Sequence, residues 1–541
     1  MIQPLSCTVE YVLEGDPEEE VRTECFGIAE ATSAHHGADL SLKTSFSGEL
    51  FAAVVVASKP LRVLGCEVEF QREFARGEKV LLNGYQSWTD TVELSPWAVM
   101  RGMGRTPKGV VDRFVLDGSG DYRYVDYPAR PGALHGWTYG YIRSEDRGEL
   151  VASLDESAGF TLLRMDASAS RVSAGREPLQ RALAAGETWT ALELAYLPVD
   201  DGSDAALDGA FARWFELAGI VRRPAQPLVG YCSWYRHYNN IDEAHIMGDL
   251  QSAKNALARL DARGFVPVFQ IDDGYAVVGD WLDYDRGCFP SGMKALAGWI
   301  EEAGFVPGLW MAPFVCEEDS QLFLWHMDWI LRDSQGHFAR TGGHWSGGLA
   351  LDILNPQVQD YVRECIHTAT QEWGFKLLKL DFLYAACMVP HGGLNRGQLM
   401  ALAVDLVREA AGDDVIINGC GVPLGSAFGK FEFCRIGCDV GLDWDGNLAM
   451  RFAERERVST KNSLMNTVYR APLNGKAFLN DPDVLLLRDD VRLSEEQRQL
   501  LADADGCFGG MLLTSDDMGM WNEEQLSVFQ GCLDTMRARG L

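Results

Sequence analysis

Hydrophobic residues follow two different patterns along the chain, and the pattern changes near residue 227. Up to about residue 199 the apolar runs are short, several alternate with polar residues, and Gly, Asp and Pro separate them. Alternation with a period of two places every second side chain on one face of a strand, so this part predicts an all-β sandwich. The predicted strands are 50–57, 61–70, 80–88, 150–154, 160–165 and 188–199.

After Pro227 the apolar runs become continuous, and amphipathic helical segments separate them. Such runs are typical of strands that are buried on both faces, as in a parallel sheet. Eight strands alternating with helices favour a (β/α)8 barrel, and a doubly wound sheet of eight strands is the alternative. The segment 422–432 is too short and too rich in glycine for a full crossover helix. The predicted strands are 228–235, 265–273, 306–314, 376–382, 415–421, 431–439, 476–487 and 511–515.

The two patterns divide the chain into three parts. Residues 1–204 are expected to form the sandwich, residues 205–227 a helical linker, and residues 228–541 the barrel. A chain of 541 residues is too long for one ordinary core, which agrees with this division.

Charge and cysteine content narrow the range of partners. With 48 basic and 78 acidic residues the net charge is −30, which disfavours nucleic acid and anionic membranes. No apolar stretch approaches eighteen residues and residues 1–6 lack signal-peptide character, so we expect a soluble cytoplasmic protein. Thirteen scattered cysteines indicate free thiols in a reducing compartment. The spacing of Cys434 and Cys438 does not fit a zinc site, and we expect no metal and no other cofactor.

The run from Leu377 to Leu383 contains a lysine and an aspartate two residues apart. A period of two places Lys379 and Asp381 on one face of the predicted strand and Phe382 on the other. A buried charge costs several kcal/mol unless it is paired or used. The run alone therefore allows two interpretations, a structural ion pair or part of a functional site.

Polar residues crowd the carboxyl ends of the predicted barrel strands. In barrel enzymes this end carries the active site, whereas charges placed for solvation would show no preference for one end. The residues are Trp234, Asp272, Asp273, Trp310, Lys379, Asp381, Asn418, Cys420, Arg435, Asp439, Asn480, Asp481, Asp483, Asp516 and Asp517.

Two carboxylates on different strands of one rim can divide the roles of nucleophile, acid and base. Glycoside hydrolysis is built on such a pair. Asp381 has the cation Lys379 beside it, which suits an ionised nucleophile, and Asp439 is the candidate general acid. Trp88, Trp234 and Trp310 offer flat walls for a sugar, although a tryptophan taken alone is more often a core residue than a platform for a ligand.

Other catalytic motifs are weak. There is no dinucleotide fingerprint, P-loop, HExxH pair or G-x-S-x-G elbow in the sequence. The histidines, among them His35, His36, His237 and His344, are interpreted as surface or rim residues.

Several motifs in a fixed order resemble glycoside hydrolase family 36, the α-galactosidases, from Trp88 to the end of the chain. The double-aspartate strand, the lysine and nucleophile strand, and the arginine and acid/base strand all have counterparts. The motifs are Gly230-Tyr-Cys-Ser-Trp234, Ile271-Asp-Asp-Gly-Tyr275, Gly308-Leu-Trp310, Lys379-Leu-Asp381, and Arg435 with Asp439.

The resemblance implies a retaining exo-α-galactosidase that acts on terminal α-galactosides such as melibiose- and raffinose-type oligosaccharides. Asp381 would attack the anomeric carbon, and Asp439 would serve as acid and then as base. The implied substrate-binding residues are Asp272, Asp273, Lys379, Arg435, Cys420, Trp234, Trp310 and Trp88, the last lent by the sandwich. The resemblance leaves a homo-oligomer open and fixes no number of subunits.

Three departures from the family pattern leave the sugar less well determined than the mechanism. The family's C-terminal β-domain is not expected here, Phe314 follows Pro313 where glutamate is frequent, and the segment 418–425 differs. Alternatives with the same carboxylates are an α-N-acetylgalactosaminidase or other α-glycosidase and a transglycosylase of the raffinose-synthase kind. A sugar sensor without activity is the alternative from a different class.

Overall fold

The structure is a computed structural model that describes residues 3–28, 32–446 and 454–540. Its first part is a sandwich of two antiparallel sheets. One sheet has six strands in the order β2-β1-β6-β12-β11-β8, and the other has seven in the order β3-β4-β5-β13-β10-β9-β7. The predicted sandwich is confirmed. Its strands are β1 (Gln3–Leu13), β2 (Arg22–Gly27), β3 (Ser33–His36), β4 (Leu40–Ser47), β5 (Leu50–Ala57), β6 (Leu61–Gln71), β7 (Lys79–Leu82), β8 (Ala133–Trp137), β9 (Tyr139–Arg143), β10 (Gly148–Ser153), β11 (Thr161–Asp166), β12 (Arg171–Arg176) and β13 (Thr188–Val199).

Alternating burial explains why these residues form strands. In β5 every second residue from Phe51 to Ala57 is buried against the opposite sheet, as the sequence pattern predicts. The prediction for 80–88 is too long, because β7 ends at Leu82. From Asn83 onward the chain leaves the sheet as a loop that Arg470, a fully buried barrel residue, holds by hydrogen bonds.

The second part is a parallel eight-stranded barrel, so the predicted barrel is confirmed and the doubly wound alternative is wrong. The ladder order is β23-β22-β21-β20-β16-β15-β14-β24. A parallel bridge between Val484 and Leu513 and the bond from Gly510 N–H to Asn480 O (2.8 Å) close the ring. The strands are β14 (Leu228–Cys232), β15 (Val266–Ile271), β16 (Val306–Met311), β20 (Leu377–Leu380), β21 (Ile416–Gly419), β22 (Phe433–Arg435), β23 (Leu479–Asp481) and β24 (Met511–Thr514).

Helices follow most of the barrel strands along the chain. The gap at 422–432 holds only a four-residue helix, which confirms the predicted irregularity. After β16 the chain adds a three-stranded sheet, β17 (Val315–Glu317), β18 (Arg340–Gly342) and β19 (Gly348–Ala350). The α-helices are Lys108–Phe114, Asp204–Leu217, Trp234–His237, Glu243–Leu257, Met293–Glu302, Gln321–Trp325, Pro356–His367, Arg396–Ala411, Leu424–Ala427, Thr460–Tyr469, Glu495–Phe508 and Glu523–Ala538.

Two buried contacts join the sandwich to the barrel. The Trp214 indole on the helix Asp204–Leu217 donates to Ser153 O (2.7 Å) and packs on Phe428 of the barrel. The Arg396 guanidinium lies 3.4 Å from the centroid of the Tyr124 ring and donates to Glu177 (2.6 Å). A desolvated cation over an aromatic ring is worth about 2 kcal/mol. The sandwich is thereby fixed where its loops reach the carboxyl ends of the barrel strands. The domain limits at 204 and 227 stay a prediction.

Three further features bear on function. All thirteen cysteines are free and ten are buried. In the described ranges, no three His, Cys, Asp or Glu side chains come together to hold a metal ion. No helix within those same ranges has the length and apolar character needed to cross a bilayer.

Candidate active site

A cavity of about 700 Å³ lies at the carboxyl ends of the barrel strands. This volume is in the range of sites for small molecules. The structure brings eight of the ten predicted site residues together on its walls. They are Trp88, Trp234, Asp272, Asp273, Trp310, Lys379, Asp381 and Asp439.

Asp381 follows β20, at a point where the chain turns sharply. Its Oδ2 accepts the Trp310 indole N–H (3.0 Å), and its Oδ1 accepts the backbone N–H of Phe382 (2.9 Å). Phe382 has φ +53°, in the left-handed region, so the prediction that it continues the strand is wrong. This conformation costs of order 1–3 kcal/mol and is kept at functional sites where it directs a side chain. Both oxygens of a buried carboxylate are thereby fixed.

Lys379 bonds to Asp272 rather than to Asp381. Its ammonium donates to Asp272 Oδ2 (3.0 Å), which also accepts from the amide of Gln270 (2.8 Å). Burial works against the charge, but Asp272 raises the pKa of Lys379 well above its usual value. The interpretation as an ion pair between Lys379 and Asp381 is wrong, because β15 places the Asp272 carboxylate nearer to the ammonium.

Asp273 is buried but still faces the cavity. The Trp345 indole donates to Asp273 Oδ2 (2.9 Å). Burial and the neighbouring Asp272 charge raise the pKa of Asp273 to about 6, although the hydrogen bond from Trp345 opposes them. Asp273 is therefore charged at neutral pH and titrates in mildly acidic solution.

Asp439 lies nearer to solvent than Asp381. Its side chain is 36 % exposed, and its Oδ1 accepts from Arg435 (2.7 Å), whose own side chain is 2 % exposed. Burial disfavours the charge of Arg435, but Asp483 and its acidic neighbours raise the pKa of the guanidinium well above its usual value. A permanent cation thus orients Asp439 from behind.

Two predicted substrate-binding residues, Arg435 and Cys420, do not line the cavity. Arg435 lies behind Asp439. Cys420 lies behind Trp88 and accepts its indole N–H (3.2 Å), while the Trp88 ring packs edge-to-face on Phe382. Burial, then the Asp381 charge, raises the pKa of the Cys420 thiol well above its usual value, so the thiol is neutral. Both residues position a wall of the cavity.

Sequence reasoning missed part of the wall, mainly on loops. Trp345 and His344 come from the insertion after β16, where no periodic pattern distinguishes them from their neighbours. From the sequence, His344 is interpreted only as a surface or rim residue. Glu454, Glu456 and Arg457 come from a run of alternating charge that looks like a solvated surface. The only signal was the density of charged residues before Ser459.

Several known proteins that match this chain are α-galactosidases. The family model described as Melibiase matches residues 238–398, which contain Asp272, Lys379 and Asp381. An α-galactosidase of Escherichia coli is 32% identical over 153 residues, covering 26% of this chain and 20% of that enzyme. The α-galactosidase AgaA of Geobacillus stearothermophilus is 27% identical over 228 residues, covering 39% of this chain and 29% of that enzyme. The chain thus spans less than a third of the length of either relative.

Solved structures agree over most of the chain. TtGalA, an α-galactosidase from Thermus thermophilus in complex with p-nitrophenyl α-D-galactopyranoside, matches with a TM-score of 0.71 and 26% identity, covering 93% of this chain and 94% of that one. The family 36 enzyme AgaA from Geobacillus stearothermophilus matches in fold, with a TM-score of 0.63 and 15% identity, covering 98% of this chain and 75% of that one. The resemblance seen in the sequence is confirmed.

Proposed function

We propose, on the premise that this chain is a relative of the glycoside hydrolase family 36 α-galactosidases, that it hydrolyses terminal α-galactosides with retention of configuration. Galactose would be released from the non-reducing end of the substrate. The mechanism proposed is double displacement through a covalent glycosyl-enzyme, with one carboxylate as nucleophile and the other as acid and then base.

The observation that carries this proposal is the contrast between Asp381 and Asp439. Asp381 is buried, and hydrogen bonds fix both of its oxygens. Asp439 lies toward solvent and is held at one oxygen by Arg435. A nucleophile needs a fixed, ionised oxygen, whereas an acid/base residue must exchange protons with the leaving group and with water.

In the first step Asp381 attacks the anomeric carbon, while Asp439 gives its proton to the glycosidic oxygen. The bond to the leaving group breaks as the ester to Asp381 forms. In the second step Asp439 takes a proton from water, the water oxygen attacks the same carbon, and the ester bond breaks. Two inversions restore the α configuration.

Four side chains at the inner end of the cavity would hold the galactosyl unit. Asp272 and Asp273 accept hydrogen bonds from its hydroxyls, Lys379 donates to them, and the Trp310 ring forms a wall. Charge-assisted hydrogen bonds are the strong ones, and the Asp272–Lys379 pair has these groups in place before the sugar arrives. Arg435 and Cys420 would act indirectly, through Asp439 and Trp88.

The substrate class follows from the relatives. The Thermus thermophilus enzyme has been solved with p-nitrophenyl α-D-galactopyranoside and with stachyose. We infer that this chain accepts melibiose- and raffinose-type oligosaccharides, for which the volume of the cavity leaves room beyond one hexose.

The test is to follow hydrolysis of a panel of p-nitrophenyl glycosides by ¹H NMR. The α-galactoside should be the best substrate, and α-galactose should appear before mutarotation produces the β anomer. Faster turnover of the α-N-acetylgalactosaminide would replace the proposed sugar, and initial release of β-galactose would overturn the mechanism. Adding a sugar acceptor measures transfer, which should stay slower than hydrolysis.

A further inference from the structure

The mouth of the cavity, beyond Asp439, is lined by side chains that do not take part in the proposed binding of the galactosyl unit. Segments 441–443 and 454–458, without Arg455, form this mouth together with Gly446. The backbone N–H of Ser459 donates to Asp439 O (3.0 Å), so the second segment lies directly against the candidate acid/base residue. Val458 is 59 % exposed, which marks the open side. A leaving group on the glycosidic oxygen would enter this space.

Arg457 has unused hydrogen-bond donors at the mouth. Its side chain is only 5 % exposed and lines the cavity. One nitrogen, Nη2, donates to Asp445 Oδ1 (2.7 Å). Within the described residues, Nε and Nη1 are buried and have no hydrogen-bond partner. A buried donor left unsatisfied costs about 1–3 kcal/mol, so a ligand acceptor that reaches the guanidinium from the cavity would relieve this cost.

Glu454 adds a carboxyl group to the same wall. In the part of the chain that the structure describes, no hydrogen bond or ion pair to its side chain is found, whereas Glu456 accepts from Thr89 and Tyr122 (both 2.7 Å). Burial and the Glu456 charge raise the pKa of Glu454 to about 7, and Arg457 opposes them. Near neutral pH the carboxyl group can accept or donate a hydrogen bond.

We infer that Arg457 and Glu454 form a leaving-group subsite that favours a sugar or another polyhydroxylated leaving group over an aryl group. This inference rests on the proposed function. Neighbouring hydroxyls offer one acceptor for the guanidinium and one donor for the carboxylate, whereas an aryl ring offers neither. An anionic leaving group is disfavoured, because seven carboxyl side chains and two cationic ones of the described residues line the cavity.

The test compares kcat/KM on melibiose and on phenyl α-galactoside for the wild type, Arg457→Met and Glu454→Gln. Loss of the hydrogen bonding from the guanidinium should lower kcat/KM on melibiose at least about tenfold for Arg457→Met, and on the aryl substrate less than about threefold. Glu454→Gln should lose about fivefold on melibiose and little on the aryl substrate. Arg457→Lys keeps the positive charge but lacks the planar guanidinium with its several donors. Its kcat/KM on melibiose should lie between the values of Arg457→Met and the wild type.

The control is Arg263→Met, a side chain that is 89 % exposed and should leave both values unchanged. Equal losses on both substrates, or no loss on melibiose, would overturn the subsite while the proposed function stands. A folded wild type that turns over no α-galactoside would overturn the proposed function and the subsite with it.

Discussion

The side chains at the inner end of the cavity and those at its mouth differ in how many protein hydrogen-bond partners they have. At the inner end, Asp381 has both oxygens hydrogen-bonded, and Asp272 is paired with Lys379. At the mouth, Asp439 is partly exposed and Arg457 keeps two donors without a protein partner among the described residues. At the inner end Asp381, Asp272 and Lys379 have protein partners, whereas at the mouth two nitrogens of Arg457 have none among the described residues.

This difference indicates how one cavity can catalyse a single reaction on substrates that carry different leaving groups. Groups that act on the anomeric carbon must be preorganised, because reorganising them during the reaction would cost catalytic power. Groups that meet leaving groups of different length gain from donors that only the right substrate satisfies. The predictions below should affect the two ends differently.

The largest effect is expected at the nucleophile. Asp381→Ala should lower kcat on an aryl α-galactoside by at least about 10³-fold, because no covalent intermediate can form. Added azide should restore part of the turnover and give β-galactosyl azide, since only one inversion occurs. Asp360→Ala, on a side chain that is 79 % exposed, is the control. An active Asp381→Ala enzyme that azide does not affect would contradict the assignment.

Lys379→Met should damage both stability and binding. Removing one partner of a buried ion pair leaves Asp272 uncompensated, which lowers the free energy of unfolding by about 3–5 kcal/mol. Urea denaturation measures this loss. The matched control is Lys376→Met, whose lysine is 54 % exposed and should change stability by less than about 0.5 kcal/mol. Similar effects of the two substitutions would show that the Asp272–Lys379 pair is not important.

The pH dependence of galactose binding should report Asp273. Its pKa is raised to about 6, so the carboxylate is ionised and able to accept hydroxyl hydrogen bonds above that pH. Affinity should therefore fall as the pH drops through 6, approaching tenfold per pH unit well below it. Calorimetric titration between pH 5 and 7 measures the trend. Asp273→Asn should bind weakly with no dependence on pH in this range; a wild-type profile without a slope would contradict the prediction.

The smallest effect is expected from Trp345→Phe. Loss of one hydrogen bond to Asp273 should weaken galactose binding about fivefold. Because that bond lowers the pKa of Asp273, the midpoint of the pH dependence should also move upward. A change in affinity without a move of the midpoint would indicate that the ring acts only by its shape.

The sequence predicted the barrel and most of the inner end because both depend on strands. Continuous apolar runs located all eight barrel strands, and the residues after them, Asp272, Asp273 and Asp381, reached the cavity. Strand ends were less predictable. The run at 80–88 looks like a strand to its end, but Arg470 draws the loop after Leu82 toward the barrel. Such a contact joins residues far apart in sequence, so no local pattern contains it.

The mouth could not be predicted in the same way. Glu454 and Arg457 lie in a charged run that periodicity cannot distinguish from a solvated surface. The pairing of Lys379 was also missed, since its partner Asp272 is 107 residues away in sequence, on β15's end, whereas Asp381 is two residues away. β15 and β20 are separated by β16 in the barrel, so the closed fold brings these two charges together and sequence spacing does not reveal the contact.

The covalent intermediate tests the central claim most directly. The protein is incubated with a fluorinated galactosyl fluoride whose glycosyl-enzyme hydrolyses slowly, then digested and analysed by mass spectrometry. The account predicts one added fluorogalactosyl group on the peptide that contains Asp381, and none on the Asp381→Ala protein. A label on Asp439, or steady turnover of the same fluoride by Asp381→Ala at the wild-type rate, would contradict it.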